Sequence, residues 1–285
     1  MSYRFRTGES AAVSVRRILL EELDAARAEL VVAAEDGEAL HEVRKRIKRM
    51  RALLRLTRDG LRADHENEVL RDVGRLLAAH RESDALLEIL AHEASSAGSA
   101  DLRMLQDTVR LHQAARAPLR ERRADVARAR RTLGGLRRKL AGTGISEIGR
   151  KECLRRVRQG YRRARRIWWL AVSNPTDENL HEWRKRTKVL LNMLRLVRGW
   201  TGRGGARART HLAALDERLG CARDFAHLAG ILRGVPVAEV PLRYGLGLRT
   251  RLEQAVDDQL SRAFASGRAV FRFRARTFQA RMLAR

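Results

Sequence analysis

His41, Arg44, Lys48, Arg51 and Arg55 follow one another at intervals of three, four, three and four residues. On a helix that spacing stacks them in one row with the histidine at its head. Such a row is suited to gripping a linear anion, because each charge-assisted hydrogen bond to a phosphate oxygen contributes roughly 1.5–3 kcal/mol and arginine offers a two-pronged fit. Left empty, it repels itself by about 0.2–0.5 kcal/mol per like-charged neighbour pair. A row of cations is also what an ordinary solvated helix face looks like, so a second observation has to separate the two.

That observation is a repeat. Leu40-His41-Glu42-Val43-Arg44-Lys45-Arg46-Ile47-Lys48 matches Leu180-His181-Glu182-Trp183-Arg184-Lys185-Arg186-Thr187-Lys188 at seven of nine positions, displaced by 140 residues. In the second copy His181, Arg184, Lys188 and Arg195 take the basic places, and Leu191 stands where the first copy has Arg51. A solvated face does not require a specified histidine, so the repetition favours a site. Each histidine is also compatible with a polar residue satisfied near a helix start, since His41 follows Asp36-Gly37 and His181 follows Pro175-Thr176. A protease-type zinc site needs His-Glu-x-x-His, and the last place is Lys45 or Lys185, so no metal is expected there.

Positioning these rows requires helices with a buried seam beside them. Val43, Ile47, Met50 and Leu54 form a continuous apolar stripe about 100° round from the first row. Trp183, Thr187, Leu190 and Leu194 do the same beside the second. A further echo pairs Leu77 to Glu82, with Leu86, Ile89 and Leu90, to Leu219 to Asp224, with Leu228, Ile231 and Leu232, displaced by 142 residues. A period this long reads as a duplicated helical bundle, with halves at 1–145 and 146–285. Breaks at Gly, Ser and Pro clusters predict helices near 9–34, 38–58, 64–94 and 101–131 in the first half, the last extending toward 140. In the second they fall near 148–172, 177–199, 205–233 and 243–265, with a short segment after Gly267. The fold expected is all-α: two pseudo-symmetric antiparallel four-helix bundles. A third arginine-rich stretch, Arg155, Arg158, Arg162 and Arg165, has helical spacing and is either a solvated face or an addition to the same surface.

The whole chain supports an anionic partner. Its 285 residues carry 60 Lys and Arg against 34 Asp and Glu, a formal charge of +26. Charge alone suits DNA or RNA equally well. No helix-turn-helix, zinc finger or base-stacking aromatic sheet accompanies it, and aromatics are only 5% of residues, so nucleic acid is expected as a non-specific competitor. Enzymatic turnover would need carboxylates holding a metal, or a nucleophile with its base, and the basic rows offer neither. The glycines at 202–205 and at 245 and 247 lack the Lys-Ser/Thr of a nucleotide phosphate loop. Cys153 and Cys221 have no ligand-like neighbours and read as ordinary thiols. The apolar run Ile18-Leu19-Leu20 is too short for a signal or a membrane span, so a cytosolic protein with no membrane partner is expected.

The doublet Leu-His-Glu-(Val/Trp)-Arg-Lys-Arg-x-Lys, each copy followed by Leu-x-x-x-Arg-(Glu/Asp), resembles the CHAD domain, the conserved histidine α-helical domain family. Tyr3-Arg4-Phe5 and Val13-x-x-Arg16 resemble the opening of its stand-alone members, and the similarity runs from about residue 3 to Phe278. The resemblance implies His-bearing helices related by a pseudo-two-fold and meeting at a basic channel for inorganic polyphosphate, with association to polyphosphate granules. It carries ligand contact onto His41, Arg44, Lys45, Lys48, Arg51, His181, Arg184, Lys185 and Lys188. The basic rows themselves add Arg55 and Arg195. Leu191 against Arg51, and Glu82 against Asp224, predict unequal binding by the two halves. Family members are often fused to a triphosphate-tunnel domain, and the alternating-Glu strand of such a domain is missing from this sequence, so no phosphohydrolase activity and no cofactor are expected. The alternatives are a nucleic-acid-binding basic helical protein, or an accessory or regulatory subunit of a polyphosphate or triphosphate enzyme.

Overall fold

The computed structural model describes residues 3–6, 8–61, 63–78, 80, 119–142, 144, 148–234 and 242–284, and for 231–234, 242–246 and 248 the backbone only. The helices are α1 (Ala11–Glu29), α2 (Gly37–Leu56), α3 (Asp64–Leu76), α4 (Leu119–Gly142), α5 (Arg150–Ser173), α6 (Asp177–Leu196), α7 (Arg203–Gly234), α8 (Leu242–Phe271) and α9 (Ala275–Leu283), with a 3-10 turn at Arg198–Trp200. No strand occurs among the described residues, as the composition predicts. The echo at Arg81, Glu82, Leu86, Ile89 and Leu90, the break at 95–99 and the start of the helix predicted over 101–131 lie outside the described residues.

The two site-bearing helices begin on side-chain caps. Asp36 accepts from the Glu38 and Ala39 amides at the head of α2, and Thr176 accepts from the Asn179 amide at the head of α6. Each cap sets the same register, placing His41 and His181 in the fifth helical position. The apolar stripes are buried as the spacing requires: Val43, Ile47, Met50 and Leu54 on α2, and Trp183, Thr187, Leu190 and Leu194 on α6.

Packing closes each set of four helices into a ring. In the first, α1 meets α2 and α4, and α3 meets α2 and α4; in the second, α5 meets α6 and α8, and α7 meets α6 and α8. Helix α9 lies against α5 and α7, held where the Tyr161 ring stacks on Phe278 at 3.9 Å and its hydroxyl donates to the Phe273 carbonyl at 2.8 Å. The rings join where α2 meets α5 and α6, and one hydrophobic core runs through both.

Two boundaries differ from expectation: α1 ends at Glu29, with the chain turning through 30–35, rather than running to 34, and the last long helix runs further than expected. Helix α8 does not stop near Gly267 but runs through it to Phe271. A Cβ at Gly267 would stand 2.7 Å from Trp183 Cζ2 and 2.8 Å from Trp168 Nε1, so the glycine there admits two tryptophans rather than breaking the helix.

Candidate anion groove

Helices α2 and α6 cross in antiparallel sense. The charge of Arg55, near the end of α2, is felt against Arg186 and Glu182 near the start of α6, whereas Arg195, near the end of α6, lies within reach of Arg49. The crossing brings Lys48 into the field of Lys188, the same place in the other copy of the repeat, and of Arg44 and Arg184. Four predicted cations therefore converge from two helices.

Their partners differ between the copies. Arg44 donates from Nη1 to the Gly74 carbonyl on α3 at 2.7 Å. Position 216, displaced from Gly74 by the same 142 residues as the echo, carries an aspartate on α7, whose Oδ1 lies 3.9 Å from Arg184 Nε and whose Oδ2 lies 3.0 Å from Lys188 Nζ. Gly220 leaves room for that arginine, since a Cβ there would stand 2.9 Å from Arg184 Nη2. Lys48 has no ion pair among the described residues. Burial pushes its ammonium down to about 7, and Lys188, Arg44 and Arg184 push it the same way against a weaker pull from Asp216. More than a third of Lys48 stays accessible, so its ammonium is open to solvent and to a ligand.

The heads of the rows are half-buried. His41 stands beside Glu42, and His181 has a buried Nδ1 with no hydrogen-bond partner among the described residues. Burial first, then Lys185, Arg223 and Arg184, hold the His181 imidazole below its ordinary value. Arg51 donates to Asn67 Oδ1 at 3.2 Å and is pushed down to about 10 by burial and by Arg55, Arg71 and Arg75, so it stays charged at neutral pH. Arg55 is lowered by burial, then by Arg186 and Arg163; Arg195 donates to Asn192 Oδ1 at 3.3 Å.

Two of the residues carried over by resemblance sit off the rows. Lys45 pairs with Glu42 and Glu38, and Lys185 with Glu182 at 3.6 Å, each tied to its own helix one step round from the cationic row. The third arginine stretch likewise divides: Arg155 pairs with Glu152 and Asp59, and Arg165 donates to the Phe271 carbonyl at 2.8 Å. Sequence reasoning missed Asp216, which no single-helix stripe contains, although it lies seven residues before Arg223 of the echo.

Among the described residues no group of three or more His, Cys, Asp or Glu is placed to hold a metal, and no helix is long and apolar enough to cross a membrane. Both cysteines are free, and burial pushes the Cys153 thiol up to about 12.

The crystal structure of the CHAD domain from the plant Ricinus communis is similar to this chain with a TM-score of 0.60 and 19% identity, covering 100% of this chain and 96% of that one. At that identity the likeness speaks for the fold. No curated protein matches the chain in sequence. The family model for the CHAD domain matches residues 17–233, a span holding both histidine helices, their converging cations and the Arg223–Asp224 echo, and the chain belongs to the CHAD domain family.

Proposed function

We propose that the protein binds inorganic polyphosphate, without turning it over, in the groove where α2 and α6 cross. The observation that carries this reading is Lys48, a cation with no ion pair among the described residues that is hemmed in by Lys188, Arg44 and Arg184. Like charges held this close are costly when empty, and a string of phosphates relieves the repulsion while making charge-assisted bonds. Membership of the CHAD domain family supports the same reading, and association with polyphosphate granules would follow from it.

The two copies of the repeat are partnered differently. Asp216 engages Lys188 and approaches Arg184, whereas the matching place in the other copy is Gly74, whose carbonyl accepts from Arg44. The two copies are thus not equivalent, with Leu191 standing where the first has Arg51, and the two halves bind unequally.

Titration with chains of increasing length tests the reading. Affinity rises with chain length and falls linearly in log–log with salt, because many point contacts release condensed counterions. Orthophosphate binding as tightly as a long chain would overturn it. Duplex DNA competing on equal terms at physiological salt would transfer the groove to nucleic acid.

The free protein's protonation states set the pH dependence. Lys48 titrates at about 7 when the groove is empty, and a bound anion restores its value toward that of an ordinary lysine. Between those two values the complex holds more protons than the free protein, so affinity weakens as pH rises from 7 to 9. Near pH 8 binding takes up about one proton. Below 7 Lys48 is charged in both states, and His181, also lowered when free, continues the strengthening toward pH 6. Calorimetry in two buffers of different ionisation enthalpy reads the uptake directly, and none at pH 8 removes Lys48 from the contact set.

A further inference from the structure

The two repeated helices end differently. At the end of α6 the N-terminal segment fills the space: the Phe5 amide donates to the Leu196 carbonyl at 3.0 Å and its ring stacks on Trp200, while the Tyr3 hydroxyl donates to the Arg49 carbonyl at 2.8 Å. Arg195 lies against that tyrosine, and the buried Glu22 engages Arg46 at 3.2 Å and Arg49 at 3.6 Å. One end of the pair is thus plugged and neutralised.

At the corresponding end of α2 there is instead a cleft of about 180 Å³ between α2, α5 and α6, into which Arg55, Arg58, Arg156, Arg163 and Arg186 converge. At ~30 Å³ of liquid per water that is room for about six waters, enough for a small polyanion. Counting carboxylates shows a deficit. Asp64 pairs with Arg58 at 3.1 Å, Glu182 with Arg186 at 2.6 Å, and Asp59 is shared between Arg155 and Arg156. Arg55 and Arg163 have no carboxylate within ion-pair distance among the described residues, although Arg55 occupies the same repeat position as the covered Arg195. Asn67 and Gln159 add neutral polar groups to the lining, and Leu54 and Met193 give it an apolar floor. Rigid guanidinium forks approaching from three helices suit a compact, multiply charged oxyanion better than a single carboxylate.

We infer that this cleft is a second anion site, taking a compact diphosphate group of pyrophosphate size independently of the groove. Arg55 lies seven residues beyond Lys48 on α2, about 10 Å along the helix, so the two sites are neighbours with separate cations.

Isothermal titration of the full chain with pyrophosphate tests the assignment. One equivalent binds, more tightly than orthophosphate, and Arg163→Glu weakens it at least tenfold. Arg163 is exposed, so that variant keeps its melting temperature; Arg55→Gln serves as an independent check and weakens binding in the same direction. Lys48→Glu, which alters the groove alone, leaves pyrophosphate binding within twofold. No pyrophosphate binding by the unaltered chain overturns the assignment, as does indifference to Arg163→Glu or an equal loss in Lys48→Glu. Long polyphosphate run on the same variants keeps the two claims apart: its failure to bind the unaltered chain removes the groove, whereas its retention with pyrophosphate lost in Arg163→Glu supports the cleft.

Discussion

Lys48→Glu combined with Lys188→Gln lowers the affinity for long polyphosphate by about 10²–10⁴-fold, because two charge-assisted contacts of roughly 1.5–3 kcal/mol each are lost and tenfold corresponds to ~1.4 kcal/mol. The unequal choice of substituents follows from the surroundings. Lys48 has no ion pair among the described residues, so a glutamate there meets Arg44 and Arg184 and is accommodated. Lys188 stands 3.0 Å from Asp216, whose side chain is only 14% exposed, so a second carboxylate at that place would add an uncompensated repulsion to the fold. Glutamine keeps a donor for Asp216 and removes only the charge. The folded state is therefore retained, which unchanged circular dichroism and melting would establish beside the titration. The same variant also flattens the dependence on pH between 7 and 9, since the lysine that takes up the proton is gone. Undiminished affinity in a folded double variant would mean that the chain lies elsewhere on the protein.

Much of this device is readable in the amino-acid sequence. The helical period is fixed by backbone geometry, so a stripe at Val43, Ile47, Met50 and Leu54 has to face one way and the cations beside it another; burial of all four follows. The repeat told of two such helices, and the caps at Asp36 and Thr176 gave them one register. What the sequence does not contain is the choice of neighbours. Arg44 finds a carbonyl 30 residues on and Arg184 approaches an aspartate on α7, partners chosen by how helices pack and invisible in the row itself. The same limit hid Arg163 and Arg186, whose convergence with Arg55 depends on three helices at once. Lys45 and Lys185 are a different case. Their glutamates stand three residues away on the same helix, a spacing at which pairs form, so their absence from the cationic rows was open to local reasoning. Gly267 shows the opposite error: a breaker in isolation, it is a helical residue because the space for its side chain belongs to Trp183 and Trp168.

That last contact sets the second large effect. Trp183→Ala lowers the stability of the fold by about 3–5 kcal/mol, the range for deleting a fully buried large aromatic. Trp183 has no exposed surface, stacks on Phe264 with ring centres 5.4 Å apart, and presses its six-membered ring against the backbone of α8 at Gly267. The cavity cannot close easily. A wall made of glycine in a continuous helix has no side chain to move inward, and Gly267 itself is held by Trp168 on its other flank. Trp183→Phe separates volume from polarity. The indole Nε1 is buried with no hydrogen-bond partner among the described residues, so removing that N–H recovers part of its desolvation cost, of order 1–3 kcal/mol, against the smaller ring's lost contacts. The phenylalanine variant therefore stays within about 1.5 kcal/mol of the parent. Urea unfolding followed by circular dichroism reads both, with the slope checked for constancy so that a shift in midpoint reports stability. An alanine variant as stable as the phenylalanine one would show that α8 collapses onto α6, and then Arg184 and Lys188, carried by that helix, would be free to shift with it.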